Sequence, residues 1–345
     1  MTIANSRTRH ALLIMYMIII SFLTATVVLY TGMFGSIKTT EQIVRTVKKG
    51  TVLIENKLDT TNGGIGTGFI IGENIIVTND HVVTGGGKLT VVSSNDESRY
   101  EAEIISTDPI VDIAILKLKK WDEFKKNEGP VILPIGDSRK ALEGSKVIVI
   151  GHPWSLTWSV SEGIVSSKNR RTGPNPKYVD QVDAKIFQGN SGGPVFNEDG
   201  EVICVSELML EGKGGSYGFC IPSVLLKKVI ADFQTFGEVR WRAINVSIGL
   251  TEDGNYVIVN SIDANGAADK AGIKAGDKIL SIHTPNNHPA GLTVTDVNSL
   301  ISEIATMSGA EEKIKLLIER NGEKKMIDVV TNYKLSKEYE ADKSK

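Results

Sequence analysis

The sequence predicts a mostly β chain made of two folded units, and three observations carry the prediction. At 345 residues the chain exceeds the usual size of one domain. It holds 34 glycines against 10 prolines, a balance that suits tight turns between short strands. From Thr51 onward the apolar residues come in short, β-branched runs broken by turn residues, at 51–54, 68–71, 74–78, 89–92 and 146–150. With Gly63, Gly64, Gly85, Gly86 and Gly87 among the turns, these runs favour an antiparallel barrel or sandwich over alternating strands and helices. Charge adds an exclusion: 39 Lys plus Arg against 41 Asp plus Glu gives no reason to expect a nucleic-acid surface.

Ahead of the β region, residues 11 to 37 carry no charge, a run longer than the roughly 20 residues a helix needs to cross a bilayer core. A cleaved signal peptide is the alternative, but its apolar part usually runs about 7–15 residues and ends in a small-x-small site, and no convincing site of that kind is present. We therefore assign 1–10 to a cytoplasmic tail, 11–34 to a retained transmembrane anchor and 35–50 to a linker or short helical lead-in. Arg7 and Arg9 precede the span while Lys38, Arg45, Lys48 and Lys49 follow it, so charge alone does not orient it. The short basic tail has the layout of an export signal, and the remainder is taken as translocated. Cys204 and Cys220 could then pair, although buried free thiols are the commoner reading of cysteines inside apolar strands; their spacing does not decide.

The β texture persists to about Pro222. Residues 223–236 then read as a helix, with Ser223 as N-cap and Leu225, Val229, Ile230 and Phe233 on one face. A second unit occupies 241–333. It opens with strands at 244–250 and 256–261, and later places Val297, Leu300, Ile301 and Ile304 on one face of a helix capped by Thr295 or Asp296. Strands at 313–319 and 325–331 flank Asn321-Gly322, a strong hairpin signal. The tail, 334–345, is charged.

The sharpest motif is Gly189-Asn190-Ser191-Gly192-Gly193-Pro194. A serine hydroxyl needs a base to take its proton and backbone donors for the oxyanion formed on attack. Without a Cβ, Gly189 can turn its N–H, with that of Ser191, towards the developing charge. A plain glycine-rich turn is the competing reading, and the partners weigh against it. Of five histidines, His81 stands just past the end of the apolar strand 75–78. His10 precedes the membrane span and His283 and His288 lie in the second unit; His152 is a rival, though a turn residue after a strand is more often structural or substrate-facing. Asp112 heads the apolar run 113–116, where a carboxylate is costly unless hydrogen-bonded, and it fits the group that orients the base. Asp80, Asp108 and Asp137 sit in more turn-like contexts that read as solvated. The order His, Asp, Ser is one of the known chain orders of this constellation. No cluster of His, Cys and carboxylate has ligand spacing, so no metal or cofactor is expected.

These residues resemble the HtrA/Deg family of trypsin-like serine proteases, which join a chymotrypsin-like double β-barrel to one or more PDZ domains. The matching stretches are 66–71 (Gly-Thr-Gly-Phe-Ile-Ile), 78–83 (Thr-Asn-Asp-His-Val-Val), 112–117 (Asp-Ile-Ala-Ile-Leu-Lys), 163–166 (Gly-Ile-Val-Ser), 189–194 and 217–223 (Tyr-Gly-Phe-Cys-Ile-Pro-Ser). The resemblance implies a double barrel over 51–236, a small α+β PDZ domain over 241–333, and an N-terminal transmembrane helix. It implies His81, Asp112 and Ser191 as catalytic triad, an oxyanion hole at Gly189, Asn190 and Ser191, and a specificity pocket of Ile186, Val205 and Leu208 that takes a small or medium apolar side chain. The chain departs from the family pattern at Phe187 and Gln188, which opens an unusual resting state of the oxyanion loop. In the PDZ domain a C-terminal peptide would be captured near Ile244, Asn245 and Val246, but Asn245 replaces a usual glycine, which counts against that capture.

One span, one protease domain and one PDZ domain is the layout of the membrane-tethered branch, similar to DegS. That likeness implies a homotrimer in the inner membrane, with its folded units on the periplasmic side, cleaving misfolded or regulatory proteins. Protein and peptide substrates, a C-terminal peptide ligand and the lipid bilayer are the implied partners. The alternative is a catalytically silent, membrane-tethered PDZ sensor or adaptor.

Overall fold

The structure, a computed structural model, describes residues 38–57, 63–93, 98–153, 158–171, 177–212, 215–285, 288–308 and 313–336. The predicted anchor and the tail beyond 336 lie outside them. No helix among the described residues is long and apolar enough to cross a membrane. The body of the chain begins at Ile43, within helix α1 (Thr40–Val47).

Strands β1 (Thr51–Lys57), β2 (Gly63–Gly72), β3 (Ile75–Thr78), β4 (Lys88–Val92), β5 (Arg99–Asp108) and β6 (Ile113–Leu118) close a barrel in the order β1-β2-β3-β6-β5-β4. A single helical turn, α2 (Asp80–Val83), follows β3. A second barrel is closed by β7 (Lys146–Gly151), β8 (Ser159–Arg170), β9 (Val179–Val182), β10 (Pro194–Phe196), β11 (Val202–Gly212) and β12 (Gly215–Pro222), in the order β10-β11-β12-β9-β8-β7. Strands covered on both faces, such as β6 and β7, read as continuous apolar runs because alternate side chains enter different cores. In β6, Ala114, Leu116 and Leu118 fill the first barrel, while Ile113 and Ile115 face a layer between the barrels. In β7, Val147 and Val149 fill the second barrel, while Ile148 and Ile150 meet that same layer.

Helix α3 (Ser223–Phe236) packs Leu225, Leu226 and Val229 into this layer and ends on Gly237 at φ +74°. Ser223 is not its N-cap, as the sequence suggests; Pro222 holds that position. The buried Ser223 hydroxyl instead donates to Gly136 O (2.9 Å) and accepts from Ser138 N–H (3.0 Å), tying the helix start to a neighbouring loop.

The C-terminal module contains β13 (Arg240–Ala243), β14 (Val246–Leu250), β15 (Val257–Ile262), β16 (Lys278–Thr284), β17 (His288–Thr293), β18 (Lys313–Arg320), β19 (Glu323–Val330) and β20 (Asn332–Leu335). The main sheet runs β14-β15-β16-β18-β19 with β17 beside β16, and β13 pairs separately with β20. Helix α4 (Val297–Ala305) is capped by Asp296, whose carboxylate accepts Ser299 N–H at 2.9 Å. Its Leu300 and Ile304 join Val257, Ile279, Leu316 and Ile318 in the module core. Asn321 (φ +54°) and Gly322 (φ +81°) make the expected β18–β19 turn. The strand expected at 244–250 begins only at Val246: Asn245 takes φ +59°, and with Ile244 it separates β13 from β14.

Cys204 on β11 and Cys220 on β12 are disulfide-bonded, not free thiols, with Cα atoms 5.6 Å apart. Cross-strand placement in the second barrel decides this, since Cys220 pairs in register with Ser206, two residues from Cys204. Linking residues 16 apart should stabilise the fold by about 3 kcal/mol. The double variant Cys204→Ala/Cys220→Ala is expected to lose about that much unfolding free energy in urea, and an unchanged midpoint would contradict the bond.

Candidate active site

The first barrel brings His81 and Asp112 together. Val82 and Val83 of α2 are buried in the barrel core and Thr78 Oγ–H donates to Thr67 O (2.7 Å), so His81 projects from a fixed point with its side chain about half exposed. Its Nδ1 lies 2.7 Å from Asp112 Oδ2, and its backbone N–H donates to Asp112 Oδ1 at 2.9 Å. A proton on Nδ1, facing the carboxylate, leaves Nε2 as the basic nitrogen. Burial lowers the His81 pKa, but the hydrogen bond and charge of Asp112 and the charge of Glu207 outweigh both burial and Lys177, leaving it above the usual 6.5.

Asp112 has φ +61°, a left-handed conformation uncommon outside glycine. Two neighbours hold it there. Asn79 Nδ2 donates to its carbonyl at 2.6 Å, and the turn before it is closed by Asp108, whose Oδ1 accepts Ile110 N–H (2.9 Å) and Val111 N–H (3.0 Å). Asp108 is thus fully buried, contrary to the solvated setting its sequence context suggests. Asp137 pairs with Arg139 instead.

The second barrel supplies Ser191. Asn190 N–H donates to Phe187 O at 2.9 Å, and Gly189 at the third position has φ +100°, which makes 187–190 a type II turn. Phe187 and Gln188, the two departures from the family pattern, therefore form a regular turn. Asn190 N–H is engaged in closing it and cannot serve an oxyanion. Among the described residues, Gly189 N–H and Ser191 N–H have no protein acceptor. A Cβ on Gly189 would lie 2.3 Å from His152 O, and one on Gly192 (φ +82°) 2.2 Å from Thr78 Oγ1, so both positions require glycine.

Thr67 of β2 joins the two halves. Its N–H donates to Ser191 O (2.8 Å) and its hydroxyl to Gly189 O (2.7 Å). With that hydroxyl proton committed, Thr67 Oγ1 accepts from His152 N–H (3.1 Å) and from His152 Nδ1–H (3.2 Å). His152 is a buried support of the Gly189 turn, not a base. The Ser191 hydroxyl donates to Glu207 O at 3.0 Å; among the described residues no hydrogen bond joins it to His81. The Glu207 side chain is buried and ion-paired with Lys177, a charged pair beside the site that motif reading did not single out. A glutamate inside the apolar β11 was its one sequence signal.

Ile186 is buried inside the second barrel, with its Cδ1 3.1 Å from where a Cβ on Gly218 would stand, and Leu208 is partly buried on β11. Val205 does not join them. Its side chain packs into the layer between the barrels, whereas Ile186 lies in the core of the second barrel. In the C-terminal module, Ile244, Asn245 and Val246 line a groove of about 320 Å³ with Ile248 of β14 and Leu300 and Ile304 of α4. Asn245 adopts the left-handed conformation that a glycine would favour, and its Oδ1 accepts from Asn332 Nδ2 (2.8 Å). Groups of three or more metal-ligating side chains are absent among the described residues.

Fold and site together define a trypsin-like double barrel carrying a PDZ module. Residues 66–205 match the family described as trypsin-like peptidase domain, and 245–331 match the PDZ domain. A Brucella suis protein named "Probable periplasmic serine endoprotease DegP-like" is 35% identical over 280 residues, covering 76% of this chain and 52% of that protein. A Pseudomonas putida protein of the same name is 34% identical over 281 residues, covering 77% and 55%. The chain thus spans about half the length of these relatives. Among solved structures, the serine endoprotease from Yersinia pestis shares 29% identity at a TM-score of 0.59, covering 86% of this chain and 98% of its own. HtrA-type protease AlgW, solved with a tripeptide, has the same fold at 23% identity and a TM-score of 0.67, with the same coverage. The chain belongs to the HtrA/Deg family of trypsin-like serine proteases.

Burial, and then the charge of Lys48, push the His152 pKa down to about 4. The unfolded chain therefore binds more protons there than the folded one, so this contribution is complete above the ordinary 6.5 and is lost as pH falls through about 4. Urea unfolding is expected to show stability declining over that window, with a flatter decline in His152→Asn. Equal slopes in the two proteins would remove His152 as the cause.

Proposed function

We propose that this chain is a membrane-anchored serine endopeptidase that cleaves misfolded or regulatory proteins outside the cytoplasm. One observation carries the reading: Asp112 holds His81 through two hydrogen bonds, across from a Ser191 loop whose Gly189 and Ser191 N–H groups have no other partner among the described residues. Ser191 is the nucleophile, His81 the base and Asp112 the group that orients it and stabilises the imidazolium. Substrate binding and rotation of the Ser191 side chain away from Glu207 O bring Oγ to His81 Nε2. Attack on the scissile carbonyl then passes the proton to His81, the oxyanion meets the Gly189 and Ser191 N–H groups, and His81 protonates the leaving amine. Water repeats the cycle on the acyl-enzyme. Ile186, with Leu208, limits the primary pocket to small or medium apolar side chains.

The anchor at 11–34 supplies the membrane attachment, and the periplasmic names of the relatives support an extracytoplasmic setting. The groove between β14 and α4 suits an extended peptide added to β14, and the left-handed Asn245 meets the conformational need for which a glycine is usual. Arg171 and Arg242 at the groove supply positive charge for a C-terminal carboxylate. On this reading the module biases the protease towards its competent form through a ligand that prefers that form.

A fluorophosphonate probe should label the purified chain and fail to label Ser191→Ala. No labelling even with added C-terminal peptides would favour the silent sensor. The acid limb of kcat/KM should have its midpoint above the ordinary histidine value of 6.5, because only neutral His81 accepts the serine proton and its pKa is raised. Asp112→Asn should reduce kcat by about 10⁴ through loss of the required tautomer, and a small effect would exclude Asp112 from the triad.

A further inference from the structure

The carboxylate of Asp108 joins regions of chain that are far apart in sequence. Its Oδ1 closes the turn that leads into Asp112. Its Oδ2 accepts the Trp241 indole N–H at 2.9 Å and the Ser336 hydroxyl at 2.7 Å. Trp241 lies on β13, where the chain enters the PDZ module, and Ser336 follows β20, where it leaves; the two strands pair with Trp241 opposite Lys334. Asp108 and Trp241 are inaccessible to solvent and Ser336 is nearly so. Lys228 of α3 lies 4.8 Å from the Trp241 ring and is itself ion-paired with Asp232, so the indole is held on a second side.

Four donors thus fill the acceptor positions of one buried carboxylate, and removing any of them leaves it one hydrogen bond short at full depth. Two of those donors belong to the turn before Asp112, one to the strand that enters the module and one to the residue just after the strand that leaves it. Asp112, in its left-handed conformation, depends on outside restraint, and Asn79 and the Asp108 turn are what restrain it.

We propose that Asp108 is a positioning residue for the His81–Asp112 pair and that Trp241 and Ser336 hold it in place, so that the strands entering and leaving the PDZ module keep the triad carboxylate aimed. This rests on the reading of Asp112 as the triad carboxylate. When Oδ2 loses a donor the turn relaxes, Asp112 moves, and its bond to His81 Nδ1 lengthens. The charged groups acting on His81 are Asp112 ahead of β6, Glu207 on β11 and Lys177 ahead of β9. Only Asp112 touches the Asp108 turn, so a change there reaches His81 through that one partner. On Asp108 itself burial acts upward, opposed by its donors and by the charge of Lys228.

Trp241→Phe in the full-length chain keeps an aromatic ring and removes the N–H together with the five-membered part of the indole. It is expected to lower kcat by roughly ten- to a hundredfold, the scale of a misplaced catalytic group. KM should change less than about twofold, since substrate contacts are untouched. The acid limb of kcat/KM should move to lower pH as His81 loses the support of Asp112, which a purely stabilising contact would not cause. Ser336→Ala should act in the same direction, and Ser336→Thr, which keeps the hydroxyl, should restore the loss; this pair carries the test if Trp241→Phe does not fold. Unchanged kcat and pH profile in Trp241→Phe and Ser336→Ala, with only a lower melting temperature, would overturn the proposal. Absence of fluorophosphonate labelling in the unsubstituted chain would overturn it together with the reading it rests on, whereas labelled parent and unchanged variants overturn it alone.

Discussion

The apolar layer between the two barrels makes one site out of two halves. His81 and Asp112 come from the first barrel and the Ser191 loop from the second, so neither barrel holds the constellation by itself. The layer is built by Phe69, Ile113 and Ile115 on one side and Ile148, Ile150 and Phe196 on the other, all at or near zero exposure. Each such side chain contributes about 1.5–3 kcal/mol on burial, whereas a net hydrogen bond contributes about 1 kcal/mol. Packing therefore holds the barrels together, and the bonds made by Thr67 set the finer alignment. A hydrophobic layer is non-directional and could not by itself bring the Gly189 carbonyl within 2.7 Å of a chosen hydroxyl.

On the proposed reading, the site divides into residues that would do chemistry and residues that hold them. His152 and Thr67 fix the Gly189 turn, while Asn79 and Asp108 fix Asp112. These supports are buried, while the His81 side chain is about half exposed. Glu207 belongs to both sets: its carbonyl receives the Ser191 hydroxyl, and its carboxylate, paired with Lys177, adds to the field that raises the His81 pKa. The same layer reaches the PDZ module through Trp241 and Ala305, while the module keeps a core of its own.

Much of this was legible along the chain, for identifiable reasons. Apolar runs with period-two alternation and turn glycines mark strands locally, so β3, β6 and β7 and the Asn321-Gly322 hairpin follow from neighbouring residues. Asp296 is a recognisable cap because its bond to Ser299 is local. The errors have the opposite character. Ser223 looks like a cap until a neighbouring loop takes its hydroxyl, Asp108 looks solvated until Trp241 and Ser336 arrive from more than a hundred residues away, and Val205 looks like a pocket wall until the packing of the barrels puts it in the other core. Cys204 and Cys220 are bonded through strand pairing that their spacing does not encode.

By itself the sequence carried the pattern on which the proposed chemistry rests: a serine among glycines, a histidine after a strand and an aspartate before one. It determined the β texture as well, because side-chain alternation is a property of adjacent residues. Only the tertiary structure decided which N–H groups of the Ser191 loop lack an acceptor among the described residues, that Ser191 rests on Glu207, that His152 is a support, and that Asp108 gathers donors from both modules. Those facts depend on where closed barrels and paired strands bring distant residues, and that is fixed by packing over the whole chain, not by any one segment of it.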